Sequence, residues 1–280
     1  RGAFPHRSVL LEPEGWMCKG KLRKIWTCDV IDSYNQTLGF TYDKIHERPY
    51  CKVRIMTKEI VLFGIFSVLH LIVICTITRE NYLFLPSKIL PILLLIFTLG
   101  KSWTNLAKKG KLILIALVFS LFGDSFLALP GSGYFVPGLG SFLIAQLIYA
   151  YAFSLGSKPQ WLYSLPFLLF GLTFFYFLSS HLGNLLVPVS VYISAICLMG
   201  WRAASRDANR KIYQLALFGA LVFMLSDSII AYSMFLNREL NRTIASLLIM
   251  ITYYLAQVMI FQATVLEELK HTNSKSTWKH

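Results

Sequence analysis

The sequence predicts an all-α integral membrane protein with eight transmembrane helices. Of its 280 residues, 55% are hydrophobic and only 15% are charged, whereas soluble domains carry roughly a quarter charged residues. Apolar runs recur from residue 60 to residue 266, and each approaches the ~20 residues that a helix needs to cross a bilayer. The basic residues flank these runs instead of forming one solvated face, so the net charge of +13 does not indicate nucleic-acid binding.

The predicted helices are separated by short breaks that carry turn or charge signals, for example at residues 79–81, 108–111, 130–133 and 206–210. The eight helices are expected at residues 60–78, 83–100, 112–129, 135–156, 161–178, 185–201, 212–233 and 244–266.

The basic residues between these helices predict the orientation. Fifteen of the lysines and arginines that lie outside the spans after residue 51 fall on the side of the N-terminus, and only Arg79, Arg238 and Arg242 fall on the other side. The positive-inside rule therefore predicts that both termini are cytoplasmic.

This topology divides the chain into a cytoplasmic N-terminal tail, residues 1–58, an eight-helix membrane domain, residues 59–266, and a cytoplasmic C-terminal tail, residues 267–280. Because the chain opens with Arg1 rather than Met, a non-native segment and a partly disordered one are both open interpretations of the N-terminal tail.

Helices three and seven share a short pattern in which a small residue precedes Asp-Ser and an Ala follows four residues after the Asp, at Asp124 and Asp227. A tyrosine follows each aspartate about 25 residues later, in the next helix: Tyr149 after Asp124, and Tyr253 and Tyr254 after Asp227. An offset of four helices preserves the chain direction, so the pattern predicts a parallel 4+4 internal repeat. The alternative is chance similarity between two apolar helices.

Three side chains in the predicted spans normally carry a charge: Lys88, Asp124 and Asp227. Each costs about 2.5–3.5 kcal/mol to insert near a helix centre, so such residues are typical of functional sites. Each lies five or six residues from the non-cytoplasmic end of its helix, which at 1.5 Å per residue is a depth of about 8–9 Å. All three are therefore expected in one layer.

Uncharged polar residues join this layer because they lie at helical spacing on neighbouring spans. They are Gln146 and Tyr149 on helix four, Tyr192 on helix six, and Tyr253, Tyr254 and Gln257 on helix eight. Together with the charged residues they predict a polar pocket that opens to the non-cytoplasmic side and is lined by both halves of the repeat.

The charged residues have two interpretations. Lys88 and one aspartate can form a structural ion pair that fixes helix packing, which leaves the second aspartate unexplained. Alternatively, burial keeps one carboxyl group protonated while Lys88 keeps the other ionised, the combination that general acid–base catalysis requires.

Other catalytic machinery is not visible in the sequence. The five cysteines contain no CxxC pair, and His70 is the only histidine in a predicted span, so no disulfide framework, zinc centre or other metal site is expected. His70 itself is interpreted as a packed or hydrogen-bonded residue. There is no GxSxG motif, and nothing in the pattern calls for a cofactor.

Several ordered motifs resemble the lysoplasmalogenase-like (YhhN) family of multispanning membrane proteins over residues 60–266. They are Gly123-Asp124, Gln146-Leu-Ile-Tyr149, Pro188-Val-Ser-Val-Tyr192, Ser226-Asp227-Ser-Ile-Ile-Ala-Tyr232 and Thr252-Tyr-Tyr-Leu-Ala-Gln257. Lys88 with Pro91 is similar to the family's Lys-Pro region, with the proline displaced. The family often has His at the position of Gln146.

The resemblance implies hydrolysis of the vinyl ether of lysoplasmalogens to a fatty aldehyde and a glycerophospho-base, with no cofactor, in the endoplasmic reticulum membrane. Vinyl ether cleavage needs a protonated carboxyl group, a carboxylate and a water molecule. Asp124 and Asp227 are assigned the first two roles, in either order, and Lys88 with the tyrosines and glutamines the supporting ones. The expected partners are a lysophospholipid substrate and the bilayer. The competing interpretations are a lipid or small-molecule transporter or sensor without turnover, and a purely structural membrane protein.

Overall fold

The computed structural model describes residues 49–237 and 239–277, and all regular secondary structure within them is helical. The eight helices are α1 Pro49–Thr76, α2 Phe84–Gly100, α3 Lys108–Ala128, α4 Phe135–Ser154, α5 Ser164–Ser179, α6 Leu186–Ala204, α7 Arg210–Ala231 and α8 Arg242–Thr277. The predicted all-α class is thus confirmed for the described residues. The predicted N-terminal tail lies outside them up to residue 48, as do Arg238 and the last three residues of the C-terminal tail.

Two helices are longer than their apolar runs. Helix α1 begins at Pro49 rather than at residue 60, and α8 continues to Thr277 rather than ending at residue 266. The extension of α8 is held by tertiary contacts, because Glu267 bonds the Lys109 ammonium and Glu268 accepts a hydrogen bond from the Ala107 amide at the start of α3. Apolar periodicity does not report such polar contacts.

Seven of the helices in the described chain are long and apolar enough to cross a membrane. Helix α2 is apolar but has only 17 residues, which give about 26 Å at 1.5 Å per residue against the ~30 Å of a bilayer core. The outer face of the bundle is strongly apolar, with Leu169 and Val187 each 68% exposed. A contiguous apolar surface of this kind suits contact with lipid.

The helices pack most extensively as the pairs α3 with α4 and α7 with α8, and α4 also packs on α6. Glycines allow the closest approaches. A Cβ atom on Gly123 would lie 2.5 Å from the Phe142 ring, and one on Gly219 would lie 2.8 Å from Ile260. These contacts bring the polar residues of α3, α4, α7 and α8 into the centre of the bundle.

Candidate functional site

The carboxyl group of Asp227 on α7 is held by neutral donors from two other helices. The Tyr192 hydroxyl on α6 donates a 2.6 Å hydrogen bond to Oδ2, and Nε2 of Gln146 on α4 donates one of 2.8 Å to the same atom. Gln146 Nε2 also lies 2.8 Å from the Tyr192 hydroxyl, which closes a triangle. Within the described residues no lysine or arginine lies within ion-pair distance of Asp227.

Asp124 on α3 has a different environment. Its Oδ1 lies 3.3 Å from Nζ of Lys88 on α2, and this ammonium also donates a 3.1 Å hydrogen bond to the Asp124 backbone carbonyl. The Tyr253 hydroxyl on α8 donates a 2.5 Å hydrogen bond to Oδ2, and the neighbouring Tyr254 hydroxyl donates to the Lys88 carbonyl at 2.7 Å. The ion pair that the sequence left open as an alternative is therefore present, and it involves Asp124.

Each aspartate is contacted by the half of the chain to which it does not belong. Asp124 lies in the first four helices and bonds Tyr253 in the last four, whereas Asp227 lies in the last four and bonds Gln146 in the first four. Between these clusters, the Tyr149 hydroxyl on α4 donates a 2.8 Å hydrogen bond to Oε1 of Gln257 on α8. The structure thus arranges all nine sequence-predicted residues in two clusters and one bridging pair.

Aromatic rings fill the space beside the bridging pair. The Phe223 ring centroid lies 5.7 Å from that of Tyr253 and 6.4 Å from that of Tyr149, and Phe142 lies 5.8 Å from Tyr253. Hydrogen bonds within the described chain do not join the two carboxyl groups directly. Sequence analysis missed Phe142 and Phe223, because phenylalanine is equally typical of lipid-facing positions.

A cavity of about 50 Å³ lies next to one aspartate only. It is lined by α4, α5, α6 and α7 together with Leu127 of α3, and Asp227 and Tyr192 lie in its otherwise mainly apolar wall. Lys88 and Asp124 do not line it. Oδ1 of Asp227 has no hydrogen-bond partner within the described chain, so this atom is available to a molecule in the cavity.

Two further polar atoms lie at the centre of the bundle. Oε1 of Gln146 and Nε2 of Gln257 are buried and have no hydrogen-bond partner in the part of the chain that the structure describes. Buried polar groups are normally paired, and neither glutamine lines the cavity beside Asp227.

His70 is fully buried, and its Nδ1 lies 2.9 Å from the Ser87 hydroxyl. The imidazole makes edge-on contacts with Phe84 and Tyr254, which confirms that it is a packed residue. Among the described residues there is no cluster of three His, Cys, Asp or Glu side chains that could hold a metal ion. Cys75 and Cys197 are both unpaired.

Comparison with known proteins gives a consistent set of matches. The model of the YhhN family matches residues 83–264. Lysoplasmalogenase TMEM86A from Bos taurus and from Homo sapiens are each 36% identical over 160 residues, which cover 55% of this chain and 65% of the relative. Lysoplasmalogenase TMEM86B from Homo sapiens is 34% identical over 176 residues, which cover 62% of this chain and 71% of the relative. The chain thus spans about two thirds of the length of these relatives. No solved structure matches it.

Proposed function

The chain belongs to the YhhN family, and from this membership we propose that it is a membrane hydrolase that cleaves the vinyl ether bond of lysoplasmalogens. Relatives named lysoplasmalogenase support the substrate class. The observation that carries the chemistry is the Asp227 carboxyl group, which lines an apolar cavity, has only neutral hydrogen-bond donors and leaves Oδ1 free.

We assign Asp227 the role of proton donor. Ionising a partly buried carboxyl group in a mainly apolar wall without a counter-ion is costly, so the neutral acid is the favoured form in such a site. Tyr192 and Gln146 both donate to Oδ2, which leaves Oδ1 to carry the proton. Their two bonds also fix the orientation of the carboxyl plane, and such positioning is required for general acid catalysis.

The reaction consumes one water molecule. Asp227 transfers its proton to the β-carbon of the vinyl ether, and the electron pair of the double bond forms the new C–H bond, which leaves an oxocarbenium ion. Water adds to the α-carbon and loses a proton to the Asp227 carboxylate. As the resulting hemiacetal breaks its C–O bond to the glycerol, its hydroxyl loses a proton and the departing glycerol oxygen gains one, giving a fatty aldehyde and a glycerophospho-base. Asp227 thus acts first as an acid and then as a base, as a catalytic carboxyl group does in glycoside hydrolysis.

Asp124 is the ionised member of the pair in this proposal, because Lys88 is its counter-ion. The negative charge of Asp124 stabilises the positive charge of the oxocarbenium ion. Lys88 neutralises much of that negative charge, which weakens the effect. Tyr253 and Tyr254 position Asp124 and Lys88, while Tyr149 and Gln257 are hydrogen-bonded to each other. We therefore expect the contribution of Asp124 to the rate to be smaller than that of Asp227.

The proposal extends to the membrane topology. The seven long apolar helices make the chain a multi-pass integral membrane protein, and we propose α2 as an eighth span, with both termini in the cytoplasm and the protein in the endoplasmic reticulum. A parallel repeat of α1–α4 and α5–α8 is supported by matching contacts. Lys88 on the second helix of one half reaches Asp124 on the third, and Tyr192 on the second helix of the other half reaches Asp227 on the third. Residues 1–58 and 267–280 remain assigned to cytoplasmic tails.

Detergent-purified protein tests the activity directly. Aldehyde release from a 1-alkenyl lysophospholipid is measured for the wild type, for Asp227→Asn and for Asp207→Asn, with the saturated 1-alkyl analogue as the substrate control. Asp207 is an exposed residue of the α6–α7 loop, so its variant controls for loss of a carboxylate. We expect Asp227→Asn to lose about a hundredfold or more, as is typical for removal of a general acid. A folded Asp227→Asn that retains the rate contradicts the mechanism, and wild-type binding without aldehyde indicates a carrier or sensor.

A further inference from the structure

A second cavity adjoins the one beside Asp227. It has a volume of about 590 Å³ and lies between the cytoplasm-facing parts of α5 and α7 and the end of α6. Phe170, Met224 and Ser228 line both cavities, so the two are neighbours that share these side chains. We call the two cavities together the α5–α7 groove. It is narrow beside Asp227 and wide at its other end.

The groove is long enough to hold one lipid chain. Asp227 lies at one end and Tyr213 lies in the wall at the other, 14 residues earlier on the same helix. At 1.5 Å per residue these positions are about 21 Å apart. Two opposed chains fill the ~30 Å core of a bilayer, so one chain needs roughly 15 Å. The groove is long enough for one membrane-lipid chain along its whole length.

The wall of the groove has a polar end and an apolar body. Asp227 and Tyr192 face the narrow end, whereas the body is lined by aliphatic and aromatic side chains, among them Phe167, Leu217 and Leu221. A ligand that suits this wall has one reactive or polar group followed by one long apolar tail. A site that is narrow at the polar end excludes a second chain next to it, because overpacking a filled site is costly.

We propose that the α5–α7 groove binds the alkenyl chain of the lysolipid, with the vinyl ether at Asp227 and the tail running along α7 towards Tyr213. This inference rests on the proposed function and specifies how the substrate is selected. The groove sets the accepted chain length, and its narrow end favours lysolipids over lipids with two chains. The chain runs between α5 and α7 with one side open to the surrounding lipid, because Leu221 and Leu225 of the wall are 38% and 52% exposed.

Two tryptophan substitutions test the chain-length claim. Leu221 is six residues from Asp227 and Leu217 is ten, so Leu221→Trp and Leu217→Trp obstruct the groove at increasing distances of about 9 and 15 Å. Leu172→Trp on α5 is the matched control, because Leu172 is 60% exposed and lines neither cavity. kcat/KM is measured for octenyl, dodecenyl and octadecenyl lysolipids. The obstructions are expected to lower kcat/KM for the octadecenyl substrate about tenfold or more, as steric exclusion from an apolar pocket does, and to leave the octenyl substrate nearly unchanged.

The chain length at which kcat/KM falls should depend on which of the two positions carries the tryptophan. Leu221→Trp should also impair the dodecenyl substrate, whereas Leu217→Trp should impair it less. An unchanged chain-length profile in both folded variants overturns the groove assignment while leaving the hydrolase activity intact. Wild-type protein without aldehyde release from any substrate overturns the proposed function instead.

A binding measurement that needs no turnover completes the test. A saturated 1-alkyl lysolipid with a diazirine at the end of its chain is photolysed with the wild-type protein, and the labelled peptides are identified. We expect label on the cytoplasm-facing turns of α5 and α7, near Phe167 and Leu217. Label confined to helices outside the groove, such as α1, overturns the proposal, and this outcome does not depend on whether the tryptophan variants fold.

Discussion

The Lys88 ammonium lies 3.3 Å from Oδ1 of Asp124, and both side chains are less than 10% exposed, so a buried cation and a buried anion neutralise each other between α2 and α3. Asp227, the corresponding carboxyl group of α7, has a tyrosine and a glutamine in place of a cation. Two aspartates that look alike in the sequence therefore have different electrostatic environments. Their substitution should have different consequences for stability and for activity.

Asp124→Asn should destabilise the protein strongly, because it leaves the Lys88 ammonium buried without a counter-ion. Breaking a buried pair in this way typically costs about 3–5 kcal/mol. Asp227→Asn removes no counter-ion, and the amide oxygen can still accept from Tyr192, so we expect a loss of about 1 kcal/mol. Thermal unfolding in the same detergent measures both.

The double variant Lys88→Met/Asp124→Leu is the control for the ion pair. Replacing both charges by apolar side chains removes the unpaired charge, so it should recover most of the stability that Asp124→Asn loses. Equal melting temperatures for Asp124→Asn and Asp227→Asn would contradict the difference that we infer between the two sites.

Tyr192→Phe should lower kcat about tenfold and leave KM nearly unchanged. The phenyl ring keeps the wall of the cavity, but the 2.6 Å hydrogen bond that orients Asp227 is lost, and misorientation of a general acid affects the chemical step. Tyr176→Phe on α5 is the matched control, because Tyr176 is 75% exposed. A change confined to KM, or equal effects in the two variants, would show that Tyr192 does not position Asp227.

Charge and polarity within apolar runs were sufficient to find the residues of both clusters. Lys88, Asp124 and Asp227 are conspicuous because a lipid environment penalises them, and the tyrosines and glutamines lie at spacings that turn them to the same helix faces. The partners could not be predicted, because a sequence does not specify that Lys88 pairs with Asp124 rather than with Asp227. Phe142, Phe170 and Met224 gave no signal, since apolar side chains suit both lipid contact and a cavity wall. The end of α8 was missed for the opposite reason, because polar contacts and not apolar periodicity hold it.

Those polar contacts predict a stability effect far from the candidate site. Glu267 at the end of α8 bonds both Arg206 and Lys109, and the Arg206 side chain is only 3% exposed. Burial lowers the pKa of the Arg206 guanidinium, and the Glu267 carboxylate opposes that shift. Glu267→Gln should therefore cost about 2 kcal/mol, less than the loss of a fully buried pair because Glu267 is itself partly exposed.

Glu59→Gln is the comparison for Glu267→Gln. Glu59 also pairs with a lysine, Lys101, but that side chain is 51% exposed, and exposed pairs contribute roughly 0–1 kcal/mol. Unfolding temperatures of both variants and the wild type are measured at low and high salt. The loss caused by Glu59→Gln should shrink more at high salt than the loss caused by Glu267→Gln, because salt screens exposed ion pairs more than buried ones. Similar losses for both variants would show that the burial of Arg206 does not matter.

The contact between Gly123 and Phe142 gives a prediction that links packing to activity. An added Cβ on Gly123 would lie 2.5 Å from the Phe142 ring, and that ring both lines the cavity of Asp227 and contacts Tyr253, the hydrogen-bond partner of Asp124. Gly123→Ala should therefore displace Phe142, lower stability by about 1–3 kcal/mol and lower aldehyde release, because overpacking moves neighbouring side chains off their preferred positions.

Gly140→Ala on α4 is the control for Gly123→Ala. The new atom meets nothing within 4 Å, and the variant should be neutral or slightly stabilising, since alanine favours helix over glycine by up to about 1 kcal/mol. In the double variant Gly123→Ala/Phe142→Leu the smaller side chain relieves the overlap, so stability should partly recover. If Gly123→Ala and Gly140→Ala behave alike, or if Phe142→Leu brings no recovery, the close approach of α3 and α4 does not shape this cavity.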